Sequence, residues 1–239
     1  MLMNRKYHLL LLLFALLTGL GVEYSPVFGE FFNPVQIQKD PVRENQILYN
    51  GKLWSNLYTN VKGDQFLFSK SYLPGSLTIS GKTYKNLNIN FDIYNDEVMI
   101  PKNDGTILQL NKEMVDSFTL VYEFKTYSFR NTQADSLPGI KGFVNILYNG
   151  KSALYLKYKK ELDILAVDDK YDLFFQTHKI YLVKGSTVVQ VSNKSDLLKS
   201  FPEEKASLKA FIKKNRVKIS RKVPESFIPV IRYYDSISK

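Results

Sequence analysis

Apolar and polar positions alternate over several stretches of the chain. Leu87, Ile89, Phe91 and Ile93 alternate with Asn88, Asn90 and Asp92, which predicts a strand with four apolar side chains on one face and polar ones on the other. Phe118, Leu120, Tyr122 and Phe124 repeat the pattern against Ser117, Thr119 and Glu123, and Leu154, Leu156 and Tyr158 do so again before Lys159. Strands with one dry and one wet face belong to antiparallel sheets. Turn chemistry agrees: Asn50-Gly51 and Asn149-Gly150 match the positive-φ pair of a two-residue type I′ hairpin, and Ser80-Gly81 suits another. The hexapeptide Ile47–Lys52 (ILYNGK) recurs identically as Ile146–Lys151. Its flanks, LWSNLY and SALYLKY, match only loosely, which favours two hairpins built from the same residues over a duplicated half-domain.

After Val191 the period changes. Ser195 is the expected N-cap of a helix over Asp196–Ser200, and Ser200-Phe201-Pro202-Glu203 has the form of a capping box with proline in the first turn. Phe201, Leu208, Phe211 and Ile212 make one apolar stripe. Phe227, Val230, Ile231 and Tyr234 fall at i, i+3, i+4 and i+7, with Pro229 near the helix start, where a missing N–H costs little. The predicted class is therefore α+β: a predominantly antiparallel sheet, open and curved or a sandwich, followed by short C-terminal helices at about 195–235 that cover one face or end of it.

The N-terminus follows a different rule. Arg5 and Lys6 precede the apolar run Leu9–Leu17, and Val27-Phe28-Gly29 offers a cleavage site before Glu30, the three-part form of a secretory signal peptide over 1–29. The apolar stretch from Tyr7 to Val22 is interrupted by Thr18, Gly19 and Gly21 and is shorter than the ~20 residues a membrane span needs. Residues 30–46, with Pro34 and Pro41, read as an extended approach to a β-rich domain over 47–239. The expectation is an exported protein, periplasmic or outer-membrane associated or secreted, and not transmembrane once processed.

A hydrophobic content of 44% is enough to build a core, so disorder is not expected. The chain has no cysteine, which removes lipoprotein attachment, disulfides, thiolate chemistry and cysteine-ligated metals. A single Trp54 lends little support to sugar stacking. The net charge of +10 gathers at one end, because residues 194–239 carry twelve Lys and Arg against five Asp and Glu. Lys205, Lys209, Lys213 and Lys214 lie mostly off the apolar stripe. They are either a solvated helix face or a surface for an envelope protein, an anionic lipid or an anionic polysaccharide. Nucleic acid is not an expected partner of an exported chain.

The candidate chemistry is sparse. Asp92, Asp96 and Glu97 form the best carboxylate cluster, a runner-up site for hydrolysis if two of them face one another across a cleft. Solvation and turn formation are the favoured explanation of them. Removal of the leader takes His8 with it and leaves His178 alone, in a position that fits a partly exposed structural histidine at a strand start. Asp168, Asp169 and Asp172 lack the spacing, central glycine and terminal glutamate of an EF-hand loop. Neither a Walker phosphate loop nor a dinucleotide fingerprint occurs, so the expectation is no cofactor and no metal.

The segments GKLWSNLY (51–58), KGDQFLF (62–68), LPGSLTISGKTYKNLNINFDIYNDEV (73–98), ILQLNKEMVDSFTL (107–120) and IPVIRYYDSI (228–237) together resemble a group of uncharacterised exported β-rich proteins common in Bacteroidetes. The resemblance covers most of the chain after the leader. It implies a Gram-negative envelope location and carries no activity or catalytic residues. The leading expectation is a non-enzymatic envelope binding module, and the alternative is a carboxylate-dependent hydrolase of envelope or extracellular polysaccharide.

Overall fold

The computed structural model describes residues 46–133 and 137–238; the expected leader and residues 30–45 lie outside the described residues. Strands run β1 (Gly51–Leu53), β2 (Leu73–Ile79), β3 (Lys82–Asp92), β4 (Glu97–Pro101), β5 (Ile107–Leu110), β6 (Val115–Tyr122), β7 (Lys125–Asn131), β8 (Phe143–Asn149), β9 (Ser152–Val167), β10 (Tyr171–Lys184) and β11 (Thr187–Val191). Helices α1 (Lys194–Lys199), α2 (Lys205–Lys214) and α3 (Ile228–Ile237) follow. This is the expected α+β class. The strands form one sheet in the order β1-β5-β4-β3-β2-β6-β7-β8-β9-β10-β11, and each neighbouring pair is antiparallel. The chain meanders from β2 out to β5, returns to place β6 on the other side of β2, and meanders on to β11.

The sheet is strongly curled. Four strand spacings separate β3 from β8, about 19 Å in a flat sheet. Yet the Phe91 and Phe143 rings lie 5.7 Å apart, and both meet Phe118, at 5.0 and 5.2 Å. Phe129 completes the cluster, stacked on Phe118 at 4.7 Å. The alternation read from the sequence produces this, because the dry faces of β3, β6, β7 and β8 all point into one concavity. The curl brings β9 against the end of β3, where the Lys160 N–H donates to the Ile93 carbonyl at 3.2 Å. Residues 62–67 line the seam: Leu67 N donates to Phe91 O at 2.9 Å, Ile93 N to Gln65 O at 3.0 Å and Phe174 N to Lys62 O at 3.0 Å.

A second core lies where the helices cover one face of β9 and β10. Leu154, Leu156, Ile180 and Leu182 pack there with Leu197, Phe201, Leu208, Ile212, Val230 and Tyr234. Of the predicted stripes, Leu208 and Ile212 are the buried positions of α2 and Val230, Ile231 and Tyr234 those of α3, while Phe201 and Phe227 are buried in the segments just before them. Phe201, between α1 and α2, meets Tyr234 of α3 at 3.9 Å, and Phe211 of α2 stacks on Tyr233 of α3 at 4.3 Å. The opposite face of β9 and β10 packs Ala153, Tyr155 and Val183 against Ile140 and Val144.

Several local expectations differ from the structure. The two copies of ILYNGK fold differently: residues 46–48 are helical and Gly51 opens β1, whereas Ile146–Asn149 belong to β8. Only the second copy precedes a hairpin, and neither Asn149 nor Gly150 has a positive φ. What each copy can pair with decides its conformation, β5 for the first and the following β9 for the second. Ser80-Gly81 does form the expected turn, with φ of 48° and 79° between β2 and β3. Phe124 is not in a strand. With Glu123 it forms the β6–β7 turn at φ of 60° and 48°, wholly exposed, because β7 must fold back to set Tyr127 and Phe129 opposite Leu120 and Phe118.

The first helix is capped by Asn193, whose side chain accepts from Asp196 N, and not by Ser195. No capping box forms at Ser200, whose Oγ instead donates to the Asp196 carbonyl at 3.0 Å. The second helix begins at Lys205 without a side-chain cap.

Candidate functional site

The β3–β4 hairpin places Asp92, Asp96 and Glu97 side by side but gives them different surroundings. Asp92 was expected on a wet face and is instead fully buried. Its Oδ1 accepts from Tyr94 N at 2.9 Å and Asn95 N at 2.8 Å, and its Oδ2 accepts from Asn95 Nδ2 at 2.8 Å. The carboxylate thus ties the turn together. Its strand neighbour Asn90 is buried as well and donates to the Lys70 carbonyl at 2.9 Å. The face of β3 that alternation marks as wet is dry at this end because residues 62–71 cross it.

Burial raises the Asp92 carboxyl above the ordinary carboxylate range, against the opposing hydrogen bonds from Asn95 and Tyr94. The folded protein therefore holds this proton to higher pH than the unfolded chain does. Its contribution to stability is fully present below the unfolded value and is lost as pH rises through the raised folded value. Asp92→Asn keeps acceptors for Tyr94 N and Asn95 N, and a rotated Asn95 amide accepts from the new Nδ2. At neutral pH the variant is expected to match wild type or exceed it by up to about 1–2 kcal/mol in urea unfolding, with a flatter dependence between acid and neutral pH. A loss above about 2 kcal/mol would show that the charge itself holds the turn.

Asp96 has φ 61° and bonds two ammonium groups, Lys157 at 2.6 Å and Lys112. It also accepts from Phe143 N at 3.3 Å. Gly142 makes the approach possible: a Cβ there would lie 1.7 Å from Asp96 Oδ2, and its φ of 78° disfavours any other residue. Lys157 spans β9 to β8 by donating also to the Phe143 carbonyl at 2.9 Å. Burial lowers the Lys157 ammonium below its usual value, and Asp96 partly offsets this.

Glu97 lines a cleft of ≈ 360 Å³ with Lys52, Gln109, Asn111 and Lys112, and neither Asp92 nor Asp96 is part of that lining. Burial raises its carboxyl and Lys52 draws it back down. The hairpin therefore presents one carboxylate among lysines, whereas glycoside hydrolysis calls on two that face across a substrate.

The basic C-terminal end builds a different surface. Lys194 and Lys199 on α1 and Lys205 and Lys209 on α2 surround a cleft of ≈ 440 Å³ floored by Leu198. Ser195 also lines it, and among the described residues the lining holds no acidic residue. Two of the four lysines singled out in the sequence are thus brought together, and Lys213 and Lys214 fall outside, exposed in the last turn of α2, where they complement the helix dipole. Lys194 escapes a sequence reading that starts the first helix at Asp196, and Lys199, inside that range, carries no periodic signal that joins it to α2.

His178 is a structural residue in the middle of β10. Its Nε2 donates to the Arg221 carbonyl at 2.8 Å while Arg221 Nη2 donates to the His178 carbonyl at 2.9 Å, stapling β10 to the segment before α3. Among the described residues no group of three or more His, Asp and Glu is placed to hold a metal ion, and no helix is long and apolar enough to cross a membrane. In comparisons of the chain with known proteins, no family model, no curated protein and no solved structure matches it.

Proposed function

We propose that this protein is an exported, non-enzymatic binding module of the cell envelope, and that it recognises an anionic lipid or polysaccharide through the cleft between α1 and α2. The observation that carries this reading is the lining of that cleft: among the described residues, four lysines from two helices, an apolar floor and no carboxylate. Four ammonium groups around one opening repel one another, and a multivalent anion relieves that repulsion while burying the stems of the lysines against Leu198. The signal-peptide form of residues 1–29 supports export to a compartment where such polymers and headgroups are abundant. Carboxylate-dependent hydrolysis has less support, because Asp92 and Asp96 already spend their oxygens on the turn, on Lys112 and on Lys157.

The test is binding of the protein without its leader to vesicles of acidic phospholipid, to zwitterionic vesicles and to a soluble anionic polysaccharide, each at low and high salt. Each lysine close to an anionic surface contributes about 1 kcal/mol, so the double charge reversal Lys205→Glu with Lys209→Glu is expected to weaken binding by at least about thirty-fold. High salt is expected to weaken the wild type in the same direction. Affinity unchanged by salt, or equal for wild type and variant, would sink the proposal.

A further inference from the structure

The face of β9 and β10 turned away from the helices carries a cavity that the proposed function does not use. It measures ≈ 200 Å³ and is lined by Lys141, Lys157, Lys159 and Lys179 together with Thr177 and Tyr181, and among the described residues Glu161 is the one acidic residue in the lining. With a water occupying about 30 Å³ of liquid, a tetrahedral oxyanion and the first atoms of a substituent fit this space. Strand alternation puts Lys157, Lys159, Thr177, Lys179 and Tyr181 on one face, and the register sets Lys157 directly opposite Lys179 and Lys159 opposite Thr177.

Like charges directly opposite on neighbouring strands are destabilising, so the charge balance is informative. Lys157 pairs with Asp96 at 2.6 Å and Lys159 with Glu161 at 2.9 Å. Lys141 and Lys179 have no ion-pair partner among the described residues. Among the described residues, two cations in the wall of the cavity are thus left without a paired carboxylate. Lys157 adds to this, since it spends two of its three donors on Asp96 and the Phe143 carbonyl.

We infer that this cavity is a binding site for a phosphate-type dianion, inorganic phosphate or a phosphomonoester, held by Lys141 and Lys179 with Lys157 behind them. Two negative charges match the two unpaired ammonium groups, and the hydroxyls of Thr177 and Tyr181 supply neutral donors to the remaining oxygens. The site is separate from the cleft between α1 and α2: it lies on the other face of β9 and β10 and shares no lining residue with it.

The test titrates the protein without its leader with inorganic phosphate, sulfate and acetate by calorimetry, with Lys141→Ala plus Lys179→Ala as the variant and Lys213→Ala plus Lys214→Ala, exposed on α2 and in the lining of neither cleft, as the control. Both lysines of the variant are exposed, and unchanged thermal unfolding without ligand checks that the fold is kept. Saturable binding of phosphate and sulfate is expected, with acetate weaker. The variant loses at least about tenfold in phosphate affinity, the equivalent of one charge-assisted hydrogen bond, and the control binds as wild type does. Glycerol phosphate and a hexose phosphate then separate a lipid-headgroup source from a sugar source, and a preference for either supports the site. Absence of saturable phosphate binding, equal affinity for acetate, or undiminished binding by the variant would overturn the inference. An equal loss of phosphate binding in the control would also overturn it, by assigning the affinity to net charge and not to this cavity.

Discussion

Phe91→Ala is expected to lower the unfolding free energy by about 3–5 kcal/mol, the largest effect of any single truncation in the first core. Phe91 is 1% exposed. Its ring meets Phe118 at 5.0 Å, Phe129 at 5.4 Å and Phe143 at 5.7 Å. These contacts join β3 to three strands that reach it only because the sheet curls, so the truncation removes apolar burial and also opens a cavity at the point that holds the curl. Urea unfolding of wild type and variant reads the loss as a shift in midpoint. A loss below about 1 kcal/mol would mean that the curl is held by the seam at residues 62–67 and not by the aromatic cluster.

Asp96→Asn is expected to cost about 2–4 kcal/mol, because it leaves two lysines facing a neutral amide. Asparagine tolerates the left-handed backbone at this position as well as aspartate does, so the substitution removes charge and little else. Side-chain exposure is 17% for Asp96 and 20% for Lys157, well below that of a surface pair, whose loss would cost about 1 kcal/mol or less. The double variant Asp96→Asn with Lys157→Met is expected to recover most of the loss, since an apolar side chain of similar length does not need the carboxylate. Measured in urea, a single-variant loss below about 0.5 kcal/mol would show that solvent screens this cluster fully. No recovery in the double variant would assign the stabilisation to Lys112 and Phe143 N instead.

The candidate surfaces were legible only in part. Lys205 and Lys209 could be picked out because four lysines recur off one apolar stripe within a single helix, which is local information. Lys194 and Lys199 complete the same cleft from another helix, and a reading that started that helix two residues late lost the first of them. Lys157 and Lys179 carry a weak signal: apolar alternation in β9 gives way to Lys-Tyr-Lys-Lys after Leu156, which marks a change of environment without saying that β10 places a further lysine opposite. The carboxylates show the reverse case. Asp92, Asp96 and Glu97 look equivalent in the sequence, and only their surroundings separate a buried turn clasp, an ion-pair hub and a residue in the wall of a cleft.

The sequence by itself determined the class of this protein, the alternation that makes β3, β6 and β9, the Ser80-Gly81 turn and the buried stripes of α2 and α3. Each of these depends on residues a few positions apart, through the two-residue period of a strand, the 3.6-residue period of a helix or the φ preference of a turn. The tertiary structure alone decided that two identical hexapeptides become a helical turn and a strand, that residues 62–71 dry out the polar side of Asn90 and Asp92, and that Asp96 meets Lys157 across 61 positions of chain. Those outcomes depend on which segments the curl of the sheet brings together, and burial and Coulomb energies act on distances in space that no local period encodes.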